Sequence, residues 1–244
     1  MTGIMNGVNA AVLTPMNRDL TPDLGRMADH CRWLLDNGCD GLGILGTSGE
    51  AQSFSTRERM DILDGLAKAG IPMSKSMPGT GAAAYVDTTE LTRHAVELGA
   101  GGTLVLPPFY LKGISDDGIF AAFDKIIEGV GSSDLRIYLY HFPQMSGIPF
   151  SHDLLERLVT AFPETIVGIK DSSGDVSNML GMVERLPGFA VFPGSEAAFL
   201  EVLQAGGAGC ITAVSNVGME MAARVYSAWS DRGEVDEEAN RIIN

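Results

Sequence analysis

Ile166-Val167-Gly168-Ile169-Lys170, followed by Asp171-Ser172-Ser173-Gly174, is the stretch whose reading decides the fold. An apolar run of four residues, three of them β-branched, with no polar alternation before the lysine reads as a strand buried on both faces, which is the habit of parallel sheets. The polar, glycine-ended string after it reads as a loop, and the amphipathic stretch Asp175 to Leu186 then reads as a helix. A strand, a loop and a returning helix make one βα unit.

Working outward, the same unit recurs in both directions. Strands are expected at Asn9 to Thr14, Gly41 to Leu45, Pro72 to Met77, Thr103 to Leu106, Arg136 to Tyr140, Ile166 to Lys170, Ala190 to Phe192 and Cys210 to Ala213. Between them lie helical patterns at Thr21 to Asp36, Thr56 to Lys68, Tyr85 to Leu98, Asp116 to Val130, His152 to Ala161, Asp175 to Leu186, Glu196 to Gln204 and Met219 to Asp231. Eight alternating pairs in 244 residues predict a single-domain (β/α)8 barrel. Glycine-rich joints at Gly38, Gly99 to Gly102 and Gly206 to Gly209 fall between a helix and the next strand. That places them at the bottom of a barrel, where they suit helix ends rather than a phosphate cradle.

Net charge is −14, from 31 acidic and 17 basic residues, which disfavours nucleic acid and anionic membrane surfaces as partners. The three cysteines, Cys31, Cys39 and Cys210, show no metal-like spacing and imply a reducing, cytoplasmic setting. Met1 to Val12 lacks the pattern of a signal peptide, and no apolar run reaches transmembrane length.

Chemistry gathers at the strand ends that form the barrel mouth. Of the five lysines, Lys68 and Lys125 fall in helical patterns, whereas Lys170 ends a buried strand. Burial disfavours an ammonium ion, and a neutral amine can attack a carbonyl; the competing expectation is an ion pair with Asp171 or a neighbouring carboxylate. Tyr140 ends the preceding strand, where a phenol can move protons or merely finish a strand. His141 has no second ligand at metal-binding spacing. Gly46-Thr47-Ser48-Gly49-Glu50 offers hydroxyls and backbone N–H groups suited to a carboxylate. Gly79-Thr80-Gly81 and Pro107-Pro108-Phe109-Tyr110 bring further polar groups to the same rim.

With these motifs assembled, the chain resembles the dihydrodipicolinate synthase and N-acetylneuraminate lyase superfamily, the lysine Schiff-base pyruvate lyases. The resemblance rests on Gly46-Thr47-Ser48-Gly49-Glu50, Tyr140-x-x-Pro143 and Gly168-Ile169-Lys170-Asp171, with Gly194-Ser195-Glu196 and Ala213-x-Ser215-Asn216-Val217 in support. It implies that Lys170 forms an imine with pyruvate, that Tyr140 relays protons, and that Thr47 links Tyr140 into a relay completed by Tyr110 across a subunit contact. It implies that Thr47 and Ser48 hold the carboxylate, with further substrate contacts at Gly46, Gly194 and Ile211. It further implies no metal or other cofactor, a small keto-acid substrate and a homo-oligomer, usually a tetramer.

Two departures bear on the substrate. Gln144 and Met145 follow Pro143 where the synthases carry, two residues on, an arginine for the carboxylate of aspartate semialdehyde. Met145-Ser146-Gly147 is closer to the sialate lyases and 2-keto-3-deoxy acid aldolases, yet Ser195 aligns where the sialate lyases have an acid. The expected activity is therefore an aldolase or dehydratase acting on pyruvate and a 2-keto-3-deoxy acid. The alternatives are the true synthase and a non-catalytic keto-acid binder, and a flavin or phosphate barrel lacks the glycine-rich top loop it would need. The resemblance places the barrel at 1–232 and the beginning of a longer helical region, left incomplete, at 233–244.

Overall fold

The computed structural model describes residues 3–244, so the first two residues of the N-terminal stretch lie outside it. Seven parallel strands stand among the described residues: β1 (Gly7–Ala11), β2 (Gly41–Gly43), β3 (Thr103–Val105), β4 (Ile137–His141), β5 (Ile166–Asp171), β6 (Ala190–Pro193) and β7 (Gly209–Thr212). They run in the orders β2-β1-β7 and β3-β4-β5-β6.

The two arcs join into a closed barrel at two seams. Ala208 N–H donates to Val191 O at 3.0 Å, joining the β6 and β7 sides. The other seam is the expected third strand, which departs from expectation. Met73–Lys75 is a 3-10 turn, with Pro72 in place of a ladder donor. The extended part begins at Ser76 and bridges Leu42 on one side, with Gly79 bridging Leu104 on the other. Met77 and Gly79 donate to Leu42 O and Ile44 O, while Thr80 donates to Leu104 O. Eight strand positions therefore surround the axis, one of them too short and proline-interrupted to form a regular ladder.

The covering helices are α1 (Leu24–Asp36), α2 (Thr56–Lys68), α3 (Tyr85–Glu97), α4 (Asp116–Val130), the single turn α5 (Pro143–Ser146), α6 (His152–Ala161), α7 (Val176–Arg185), α8 (Phe199–Gln204), α9 (Ser215–Arg232) and α10 (Glu237–Ile243). Serine N-caps start α2, α4 and α6, with Ser55, Ser115 and Ser151 each accepting a backbone N–H of the first turn. The helix expected at Glu196 opens as a 3-10 turn, Glu196–Ala198, before α8. The last barrel helix starts at Ser215, earlier than expected, and breaks at Gly218. The chain end is helical as expected: α10 buries Ala239 and Ile243 against the core.

Two apolar layers separate strands from helices, one on each half of the barrel. A third cluster, which includes Met77, Leu104, Tyr138, Val167, Phe192 and Ile211, fills the barrel interior. Tyr138 closes the lower end, its hydroxyl accepting the Met5 N–H at 2.7 Å.

One irregularity sets the direction of the key side chain. Between β4 and β5, Ile137 faces Ile166 but Tyr138 faces Gly168, so Val167 is an extra residue, a bulge. Ile166 and Ile169 pack outward with the helices, whereas Val167 packs inward. Strict alternation counted from Ile166 would turn residue 170 outward; the bulge restores it to the inside. Gly168 is required there, because a Cβ would come within 2.6 Å of both Tyr138 Cδ1 and Ala190 O.

Candidate active site

Lys170 is paired directly with Tyr140 on β4 and with Phe192 on β6, so the three share the interior face of the barrel. Its Nζ lies 4.7 Å from the centre of the Tyr140 ring. Both side chains are buried, Lys170 at 5% and Tyr140 at 4% exposure.

The ion pair weighed for Lys170 is not formed. Asp171 is fully buried, and its carboxylate accepts from Ser173 N–H at 2.7 Å and Asn178 Nδ2 at 2.8 Å. Adjacent strand residues face opposite ways, so Asp171 serves the β5–α7 loop while Lys170 stays inside. His141, also facing the helices, accepts the Phe150 N–H on Nδ1 at 3.1 Å. Burial holds its pKa below 6.5, with the charges of Asp171 and Asp175 opposing that shift.

At the mouth, the Tyr140 hydroxyl and Thr47 Oγ1 are 3.2 Å apart. The loop that carries Thr47 and Ser48 is a tight turn, closed by Glu50 N–H to Thr47 O and Ala51 N–H to Gly46 O. It is flanked by Leu45 and Glu50, both in the left-handed region at φ 55° and 54°. Such strained backbone persists only where its surroundings hold it, and it collects at functional sites. Gly79 lets the next strand approach this loop, since a Cβ would stand 2.3 Å from Leu45 O.

A cavity of about 330 Å3 opens beside these groups, walled by Gly46, Thr47, Tyr140, Leu106, Phe109 and Met145 among others. Thr47 is exposed, Ser48 half-buried and Gly194 half-buried, and Gly194 N–H donates to Asp171 O. Ile211 is wholly enclosed in the barrel interior. Thus Lys170, Tyr140 and Thr47 come together within one chain. Tyr110 does not join them: it stands 77% exposed on the loop after β3.

Two residues that sequence reasoning passed over lie close by. Glu196, rather than Ser195, is the buried acid after β6; Ser195 is exposed, whereas Glu196 has 6% exposure and an unpartnered Oε1. Burial pushes its carboxyl above 4.5, with Thr212 and the Lys170 charge pulling it back. Arg59 on α2 has 3% exposure and reaches the cavity wall. The pattern contained a signal for it, since Arg59, Ile62, Leu63 and Leu66 recur at the spacing of one buried helix face.

The model of the Dihydrodipicolinate synthetase family matches residues 4–243. An uncharacterized DapA-like lyase of Chloroflexus aurantiacus is 35% identical over 94% of this chain and 76% of its own length. A 4-hydroxy-tetrahydrodipicolinate synthase of Methanococcoides burtonii is 30% identical over 93% of this chain and 76% of its own. Among solved structures, a dihydrodipicolinate synthase of Agrobacterium tumefaciens superposes with TM-score 0.84 at 30% identity, covering 98% of this chain and 97% of that one. YagE of Escherichia coli, a prophage protein of the dihydrodipicolinic acid synthase family solved in complex with pyruvate, superposes with TM-score 0.92 at 27% identity, covering 99% of this chain and 81% of that one. Barrel, motif order and whole-length similarity agree, and the chain belongs to the dihydrodipicolinate synthetase family, a family of lyases.

Proposed function

We propose that this protein is a Schiff-base lyase of the aldolase or dehydratase type, acting on pyruvate and a 2-keto-3-deoxy acid. The observation that carries the proposal is the buried Lys170 amine, free of any ion-pair partner among the described residues and 4.7 Å from the ring of a phenol that reaches Thr47. A pyruvate-bound relative of the same fold supports it.

In the condensing direction, the Lys170 amine gives up its proton and adds to the keto carbon of pyruvate, and the carbinolamine loses water to give a protonated imine. Loss of a methyl proton leaves an enamine, with the iminium nitrogen taking the electron pair. The enamine carbon attacks an aldehyde, whose oxygen takes up a proton, and water then releases the product and the free lysine. Tyr140 carries these protons at the mouth, a reading supported by its contact with Thr47 and worth roughly 10²–10⁴-fold for such groups. Cleavage runs the same steps backwards. The protonated imine is the electron sink, so the reaction calls for no cofactor.

The relay would be completed by Tyr110 of a neighbouring copy in a dimer or tetramer; its exposure, with that of Leu111 beside it at 69%, supports such a contact. A cytoplasmic setting fits the buried, unpaired thiols of Cys31, Cys39 and Cys210. No helix among the described residues is long and apolar enough to cross a membrane. True 4-hydroxy-tetrahydrodipicolinate synthase activity is the second reading, favoured by the name of the relative that is 30% identical. Against it, Met145 stands on the cavity wall where that activity calls for an arginine.

Trapping tests the proposal. Incubation with pyruvate and then borohydride should add one reduced pyruvate to the intact chain, and Lys170→Ala should abolish the adduct by mass. An unmodified wild-type chain would refute the covalent mechanism and favour a keto-acid binder.

A further inference from the structure

Arg59 is a buried cation that forms no ion pair among the described residues. Its Nη2 donates to Gly79 O at 2.7 Å, and the remaining bonds, from Nη1 and Nη2 to Gly81 O, are both 3.3 Å long. Gly81 O also accepts Gln52 Nε2 at 3.1 Å, so three donors crowd an oxygen with two lone pairs. Nε is buried with no acceptor at all. Burial lowers the guanidinium pKa to about 10, the Asp87 charge opposing this.

Buried charges are ordinarily paired, because neutral carbonyls replace only part of the lost hydration. Here the unpaired charge forms part of the wall of the cavity that also holds Tyr140, Thr47 and Met145. Glu50, the carboxylate among the residues of that wall, is exposed and makes no ion pair with Arg59. Lys112, which is not part of that wall, is spent on the carbonyls of two residues that are, Phe109 and Ser146.

We propose that Arg59 is a specificity residue that binds a second carboxylate on the substrate, so that the fragment condensed with or released from pyruvate is itself an anion. The natural substrate class is then a 2-keto-3-deoxy acid carrying a carboxylate at its far end. Nη1, whose one bond is 3.3 Å long, supplies the donor, and the carboxylate supplies the charge that the wall lacks. Arg59 thereby takes over, from a different helix, the task that Met145 cannot perform. The inference rests on the Schiff-base reading of the site.

The test compares acceptor aldehydes in the condensing direction: succinic semialdehyde against its neutral methyl ester, each with pyruvate. The wild type should prefer the anion by tenfold or more in kcat/KM, because the ester leaves the buried guanidinium unpaired. Arg59→Gln should erase that preference by raising KM for the anion, leaving the ester rate and the borohydride-trapped pyruvate adduct within about twofold. Arg59→Lys, which keeps the charge, should retain part of the preference. A pyruvate adduct in the wild type without charge preference would overturn this inference alone. Equal losses on both aldehydes in Arg59→Gln would reduce Arg59 to a fastener of the Gly79–Gly81 loop. No adduct in the wild type would remove the Schiff-base reading and this inference with it.

Discussion

Glu196 carries an electrostatic cost that its neighbours do not remove. Its carboxyl sits above 4.5 because burial penalises the carboxylate, with Thr212 and Lys170 only partly offsetting this. The folded chain therefore holds this proton to higher pH than the unfolded chain. Relative to the unfolded state, the site costs nothing below 4.5 and costs progressively more as pH rises through the raised value. Glu196→Gln should accordingly raise stability at neutral pH, with the gain vanishing near about pH 4, as chemical denaturation at the two pH values would show. Equal gains at both would refute the assignment. His141 has the opposite dependence: its neutral form is favoured by burial, so its contribution is full above 6.5 and declines as pH falls below. The positions of Lys170 and Tyr140 were legible from sequence, because each ends a buried strand and the two strands are consecutive, although position alone left their structural uses open. Glu196 was not, since nothing in Gly194-Ser195-Glu196 tells which side chain the 3-10 turn directs inward.

At the scale of elements, the helix bounds of α2, α4 and α6 were readable to the residue, because Ser55, Ser115 and Ser151 mark their starts with local hydrogen bonds. The third strand was misplaced because an apolar run containing Pro72 has the composition of a strand but lacks a donor. The β5 bulge was invisible, since both faces of that strand are apolar and a slip leaves no trace in the pattern. Gly168 is where the bulge is secured. Gly168→Ala should cost about 1–3 kcal/mol by overpacking against Tyr138 and Ala190. It should also reduce the rate of pyruvate trapping by displacing the strand that carries Lys170. A variant with wild-type stability and trapping would show that the strand tolerates the extra carbon.

For the whole molecule, the question is whether one chain suffices. Tyr110 is exposed and away from Tyr140, so a relay through Tyr110 requires a second copy. Inactive Tyr110→Phe and Tyr140→Phe chains, unfolded together and refolded, should then complement. In a two-fold pair built of one chain of each kind, one site recovers all its residues, so about a quarter of sites should work after random mixing. No recovered activity in verified mixed oligomers would confine the site to a single chain. The barrel itself was legible at this scale, as eight alternating units need no knowledge of side-chain direction, whereas partner contributions leave no mark on one chain's pattern.

Val167, the residue without an opposite number on β4, has a consequence for changes in chain length. Deleting it would leave Gly168, Ile169 and Lys170 opposite their present partners and keep the amine at the axis, whereas deleting Ile169, beyond the bulge, would rotate the amine out among the helices and bring Asp171 to the axis. The chain without Ile169 would keep its barrel and its loops while losing its nucleophile. In this fold, reactivity can thus be switched off by arithmetic alone, with no functional group replaced.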